Sequence, residues 1–228
     1  MRNTTAVFTA ALGLAMASPV AAQDSGSDPE VSVTLTGATE YVWRGVTQSD
    51  GDPAVFAAVN VSYEGFYIGA GTENVDFPGI DQEYDVWGGY VFSLAPSTTL
   101  DVGFVRYGYV DSPVDIDTID LKAAVNTSVG KTGLGVRALW TPDYFGTDDD
   151  AFYLEGAVTQ PLTEKLSVRG TVGQQWISAG GDYLNWSLGA SYAVAPGASL
   201  SVAYHDTDAT ALGDAADGRV VGSFSVTF

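Results

Sequence analysis

The chain has no cysteine, one histidine and only nine lysines and arginines among its 228 residues. Lack of cysteine excludes a disulfide framework and a thiolate metal site. A single histidine leaves little material for the His-based constellations that most acid–base and nucleophilic catalysis uses. The few basic residues face 28 acidic ones, and the net charge of −19 argues against nucleic acid as a partner, because phosphate binding needs clustered Lys and Arg. Long hydrophobic runs are missing too: no stretch approaches the ~20 apolar residues of a membrane-spanning helix. What remains is a one-domain length, rich in glycine and aromatic residues.

The N-terminus reads as a secretory signal peptide over residues 1–22. Arg2 gives the positive start, Ala6 to Ala17 the short apolar stretch, and Val20-Ala21-Ala22 the small residues at the cleavage site. Residues 23–30, with Asp24 and Glu30, form a short polar tail, which leaves residues 31–228 for the folded domain.

Over those residues the pattern has period two. Alternating segments are expected at Val31–Thr47, Pro53–Tyr63, Phe66–Glu73, Glu83–Leu94, Thr98–Tyr109 and Val114–Asn126. They continue at Thr132–Thr141, Ala151–Thr159, Lys165–Ile177, Tyr183–Ala193, Ala198–Asp206 and Gly218–Phe228. Most run to about ten residues, the length with which a tilted strand crosses a bilayer, and their even number places both ends on one side. The expected fold is therefore all-β: a transmembrane antiparallel up-and-down β-barrel of about 12 strands, set in the bacterial outer membrane.

The connections sort into two kinds. Those after odd-numbered strands carry Asp50, Asp52, Glu73, Asp76, Asp81, Glu83, Asp111, Asp115, Asp117, Asp143, Asp148, Asp149, Asp150, Asp182, Asp206, Asp208, Asp214 and Asp217. Those after even-numbered strands are short turns of little net charge, such as Glu64-Gly65, Ala95-Pro96-Ser97 and Val194-Ala-Pro-Gly197. Short turns at one end and acidic loops at the other suit an outer-membrane barrel, and a soluble β-sandwich has no reason to segregate its acids this way.

The strand faces agree. One parity gathers Val31, Val33, Leu35, Trp43, Leu134, Val136, Trp140, Leu154, Trp186, Leu188, Leu200 and Val202, the expected lipid face. Its aromatic residues fall near strand ends, with Trp43, Trp140, Phe152 and Tyr204 at the loop side and Tyr63, Phe66, Tyr90, Phe92, Tyr192 and Phe228 at the turn side. The opposite parity carries Arg44, Lys122, Arg137, Arg169 and Arg219 with Glu40, Asp85, Asp101, Asp120 and Glu155. Charges at bilayer depth are costly on lipid, so these residues are expected to face the lumen and line a pore. Arg106 shares parity with Leu100, Val102 and Phe104, which requires either a bulge or a place at the outer rim. The closing run Arg219 to Phe228 alternates strictly and ends on an aromatic residue, which reads as the strand that seals the barrel and as the signal that barrel-assembly machinery recognises.

The stretch Thr39-Glu-Tyr-Val-Trp-Arg-Gly45, then Pro53, Gly65-Phe-Tyr-Ile-Gly69, and Glu83-Tyr-Asp85 with Gly88, resembles the TorF-type porin family of small outer-membrane barrels. The likeness is sharpest over the first four strands. It implies location and fold, with pore activity as a further inheritance, and it brings no catalytic residues.

Signals for other chemistry are weaker. His205-Asp206 mimics half of a catalytic site, but no second acid pair or nucleophile accompanies it, so no enzyme is expected. Asp148-Asp149-Asp150 offers hard oxygen ligands without the Gly and terminal Glu of an EF-hand, so these read as solvated loop acids and no metal or cofactor site is expected. Gly69-Ala-Gly71 and Gly133-Leu-Gly135 lie within strands with no following helix and are not phosphate loops. The function expected is passive diffusion of small hydrophilic solutes or ions, mildly favouring cations because of the acidic mouth. Outer-membrane lipid and lipopolysaccharide are the surroundings. The rival is a closed structural or surface-interaction barrel plugged by its own luminal ion pairs. No loop looks long enough to fold in as a plug, which favours the open form.

Overall fold

The computed structural model describes residues 28–228; the expected signal peptide and most of the polar tail lie outside them. Twelve strands close into one barrel, and two short strands form a separate hairpin. In chain order these are β1 (Glu30–Ala38), β2 (Val42–Trp43), β3 (Val46–Thr47), β4 (Ala54–Tyr63), β5 (Phe66–Phe77), β6 (Ile80–Ala95) and β7 (Thr98–Tyr109). Then come β8 (Thr118–Val129), β9 (Thr132–Thr141), β10 (Ala151–Pro161), β11 (Leu166–Ile177), β12 (Tyr183–Ala195), β13 (Ala198–Thr207) and β14 (Arg219–Thr227), with a 3₁₀ segment at Thr210–Ala216 before the last. From β4 to β14 each strand pairs antiparallel with the next, and β1 pairs with both β4 and β14.

Alternation decides which side chains meet which solvent. Val136, Leu188, Leu200, Val202, Val220 and Ile68 point outward and stay exposed, so a closed barrel wears its apolar side chains outside. Only lipid covers such a surface at no cost. At its turn end Phe66 packs edge-on against Tyr90 with ring centroids 4.5 Å apart. At its loop end Phe152 stacks on Trp176 at 5.7 Å, and Trp186 meets Tyr204 at 5.2 Å.

The seam between β1 and β14 is short, with register pairs from Thr34 with Thr227 to Ala38 with Ser223. Hydroxyl pairs on its interior face reinforce it: Thr34 with Thr227 at 3.0 Å and Thr36 with Ser225 at 2.9 Å. Beyond the strand, the Phe228 amide donates to the Val33 carbonyl at 2.9 Å, and the Val33 amide donates back at 3.1 Å.

Inside, large rings lie over small positions on neighbouring strands. A Cβ at Gly69 would collide with the Trp87 indole, and one at Gly173 would collide with Tyr153. Glycine here makes room for an aromatic side chain laid flat along the wall.

Two expectations are corrected, and one open alternative is decided. The first strand does not run to Thr47: it stops at Ala38, and Glu40 and Arg44 stand on a segment that turns into the barrel, as does Trp43, which therefore leaves the lipid belt. Glu73 and Glu83 are not loop acids. The apolar inward positions Val75 and Ile80 carry β5 and β6 on to a tip at Pro78-Gly79, so both glutamates fall within strands and face inward. Arg106 needs no bulge, since β6, β7 and β8 stay in register around it. It lies near the outer rim, paired with Asp117 and bonded to the Tyr84 hydroxyl at 2.9 Å.

An arginine placed at the outward position Val136, mid-strand in β9, should cost about 2–4 kcal/mol of stability in a lipid bilayer. Urea titration of the barrel folded into vesicles checks this; a cost near zero would put that face away from lipid.

Candidate functional site

The interior is organised by the segment between β1 and β4, residues 39–53. Its strands β2 and β3 pair Val42 with Thr47 and Trp43 with Val46, which leaves Arg44-Gly45 as a two-residue turn. Both turn residues have positive φ, 47° and 84°. That is the signature of the type I′ turn, whose twist matches a β-hairpin. Gly45 meets it freely, whereas Arg44 takes a conformation that costs a side-chain-bearing residue about 1–2 kcal/mol.

Contacts at the tip offset that cost. The Arg44 guanidinium pairs with Asp120 of β8 at 2.6 Å and donates to the Gln175 side-chain oxygen of β11 at 2.5 Å. It sits between two rings, 4.0 Å from the Trp43 centroid and 4.2 Å from that of Tyr153. Asp120 and Arg44 side chains are each only 5% exposed. A Cβ on Gly45 would fall 2.8 Å from Thr207 Cβ and 3.0 Å from Asn185 Cβ, so the tip presses on β13 and β12. The base of the segment is held as well. The Thr39 amide donates to the Gly222 carbonyl of β14 at 2.9 Å, and the Asp76 amide of β5 donates to the Gln48 carbonyl at 2.8 Å. Tyr41 packs with Ala54, Val75, Ile80 and Tyr109. The hairpin thus crosses the loop half of the lumen from the β4–β7 wall to the β11–β13 wall.

The wall residues pair among themselves. Lys122 meets Asp101 at 2.8 Å, and Asp101 also accepts from the Tyr67 hydroxyl at 2.7 Å. Arg137 meets Glu155 at 2.9 Å, with Tyr153 3.1 Å from the same carboxylate. Arg219, at the loop end of β14, pairs at 2.5 Å with Glu40 of the in-turned segment. Arg169 differs. It lies on the inner face of β11, donates to Thr159 at 3.1 Å, and remains exposed, so water reaches the turn half of the lumen. The structure therefore brings Arg44 to Asp120, Lys122 to Asp101, Arg137 to Glu155 and Arg219 to Glu40, and leaves Arg169 apart.

Several interior roles escaped the sequence reading, although Gln175 and Asp85 have the luminal parity expected of them. Gln175 and Tyr153 carry no charge, so nothing in the period-two pattern marks them as the seat of an arginine. Glu73, Glu83 and Asp85 come together as three buried carboxylates, each offering an oxygen within 4.8 Å of the others. The overlooked signal was Pro78-Gly79, which sets the hairpin tip five residues beyond the expected strand end at Glu73. His205 and Asp206 separate: His205 is buried inside β13, while Asp206 bonds outward to Tyr204 at 3.1 Å.

Over residues 21–224 the chain matches the family described as bacterial protein of unknown function (Gcw_chp), and it belongs to that family. Comparison with curated proteins gives no match. Among solved structures the barrel is similar to the KdgM porin, with a TM-score of 0.62 at 7% identity over 86% of this chain and 98% of that one. It is similar to the NanC porin at a TM-score of 0.60 and 12% identity, covering 86% and 97%. A FadL homologue of Pseudomonas aeruginosa superposes at 0.50 with 12% identity, covering 89% and 90%. At these identities the likeness is one of fold. The TorF-type resemblance is a finer statement than these matches make.

Removing the counter-charge of a buried ion costs far more than removing both partners. Asp120→Asn should therefore destabilise the barrel by about 3–5 kcal/mol, and adding Arg44→Gln should recover part of that loss. Denaturant titration of the folded form on unheated gels checks both; an Asp120→Asn variant as stable as the parent would show that the tip is not seated.

Proposed function

We propose that this Gcw_chp-family barrel is a porin-like channel of the bacterial outer membrane, narrowed by the in-turned hairpin and passing small hydrophilic solutes or ions. One observation carries the reading: the interior is polar and water-accessible at the turn half, where Arg169 is exposed, while the in-turned hairpin, with Phe145 of the β9–β10 connection packed on its Trp43, occupies the loop half. A purely structural barrel of this kind has no need for a water-accessible inner wall. The porin fold of the neighbours supports the reading, and none of the neighbours named above is an enzyme. The separation of His205 from Asp206 across the two faces of β13 removes the one catalytic half-site that the sequence offered.

Chemistry of the wall indicates what passes. One neighbour was solved as the KdgM porin in complex with disordered oligogalacturonate, an acidic sugar chain. Here each of Arg44, Lys122, Arg137 and Arg219 already holds a carboxylate, so among the described luminal cations only Arg169 is left to meet a polyanion. The loop mouth keeps the acids that the sequence placed there, less the inward-facing Glu73 and Glu83. That field enriches cations at the entrance, and it weakens as the Debye length shrinks from ~30 Å at 0.01 M salt to ~3 Å at 1 M.

A second reading, the closed barrel, is favoured by how firmly Arg44 is held on two walls. Planar-bilayer recording separates the two. The parent should show small single-channel steps with a cation preference that fades in concentrated salt. Replacing residues 39–53 with a short glycine-containing turn should raise conductance severalfold. A silent parent with a conducting shortened variant would favour the closed barrel, and silence in both would overturn the channel.

A further inference from the structure

Of the acids inside the barrel, Asp101, Asp120, Glu155 and Glu40 each have a basic partner. Glu73, Glu83 and Asp85 have none among the described residues. Glu73 of β5 stands directly across the ladder from Glu83 of β6, and Asp85 follows two residues on, on the same inward face. Like charges directly opposed across a ladder repel, and burial strengthens the repulsion. The residues are 5%, 2% and 1% exposed, so water does little to screen them. One carboxylate oxygen from each lies within 4.8 Å of the other two. Independently of that clustering, Glu73 Oε1 and Asp85 Oδ1 are fully buried and make no hydrogen bond. A buried acceptor without a partner is rare and points to something held between the carboxylates, an ion or a shared proton.

From this geometry we infer that Glu73, Glu83 and Asp85 form a binding site for one hard divalent cation of the calcium class. Calcium takes carboxylate oxygens at ~2.3–2.6 Å, so two of its ligands stand at most ~5 Å apart, a limit that the three oxygens here meet. The donor set is all oxygen, with neither imidazole nor thiolate, and this disfavours zinc and copper. Mg²⁺ asks for a stricter octahedron and keeps most of its water, whereas Ca²⁺ tolerates an irregular cage and accepts bidentate carboxylates, so three of them can supply up to six oxygens. The cation would sit beneath Tyr41, whose ring belongs to the in-turned segment, and beside Tyr109 of β7. It would tie β5 and β6 to the root of that segment. The site stands whether or not the barrel conducts.

The two tyrosines supply the assay, because Tb³⁺ replaces Ca²⁺ at oxygen sites and luminesces when nearby tyrosine is excited. The full mature chain, refolded in detergent and stripped with chelator, is titrated with Tb³⁺ and then with Ca²⁺. Expected are a saturable signal, its displacement by Ca²⁺, and a higher unfolding temperature with Ca²⁺ present. Glu73→Gln/Asp85→Asn should weaken binding at least tenfold, as should Glu83→Gln alone. The loop variant Asp148→Asn/Asp149→Asn/Asp150→Asn should bind like the parent. Heat-modifiable migration on gels certifies that each variant is folded. No saturable, Ca²⁺-displaceable signal from the parent would overturn the site and leave protons shared among the carboxylates as the neutralising agent. An unchanged signal in the folded Glu73→Gln/Asp85→Asn variant, or its loss in the loop variant, would overturn it in favour of the loop acids.

Discussion

A strand edge in lipid has no water to satisfy its amides and carbonyls, and each unmet group costs several kcal/mol. Closure is therefore the constraint from which the rest of this structure follows. β1 must pair on both sides, and it does so even where the β1–β14 seam is short, with threonine and serine hydroxyls adding bonds on its inner face. Once the barrel closes, alternation sends one residue in two toward lipid and the other toward a confined interior. That interior then holds most of the charged groups that lipid would reject, while Arg106, of outward parity, stays near the rim with Asp117.

Confinement sets the second condition, that the enclosed charges balance locally. Lys122 with Asp101 and Arg137 with Glu155 do so across adjacent strands, the cheapest geometry because strand pairing already places them. Arg44 does so across the lumen, and this is what turns a surface hairpin into an internal one. Its guanidinium offers several donors in a rigid fork and a flat face for aromatic rings, and Asp120, Gln175, Trp43 and Tyr153 use both properties. Lysine has one compact charge and would not match that set. Where balance from basic side chains fails, at Glu73, Glu83 and Asp85, the structure points to something outside the chain.

Sequence pattern made the barrel legible, because period-two alternation and the sorting of acids onto one end follow directly from closure in lipid. Strand positions from Phe66 onward stand within a few residues of expectation for the same reason. Two features were not legible. The strict alternation through Tyr41-Val-Trp-Arg-Gly45 reads equally as a continuing strand, and only the positive φ of Arg44 and Gly45 shows that it is a hairpin folded inward. Likewise, acids beside a turn read as loop acids until strand register brings Glu73 opposite Glu83. In both cases the missing information is long-range: which wall a tip reaches, and which strand positions face each other. Residue identity does not encode the first, and for the second only Pro78-Gly79 marks where the turn lies.

The Arg44-Gly45 tip rests against the far wall, and the absence of cysteine from the chain makes that directly testable. A Cβ at Gly45 would stand 2.8 Å from Thr207 Cβ, within roughly 1 Å of the ~3.8 Å that a disulfide spans. The Gly45→Cys/Thr207→Cys variant, folded and then mildly oxidised, should form an intramolecular disulfide that removes both free thiols. Persistence of both thiols, each open to alkylation in the folded barrel, would contradict a hairpin that crosses the lumen.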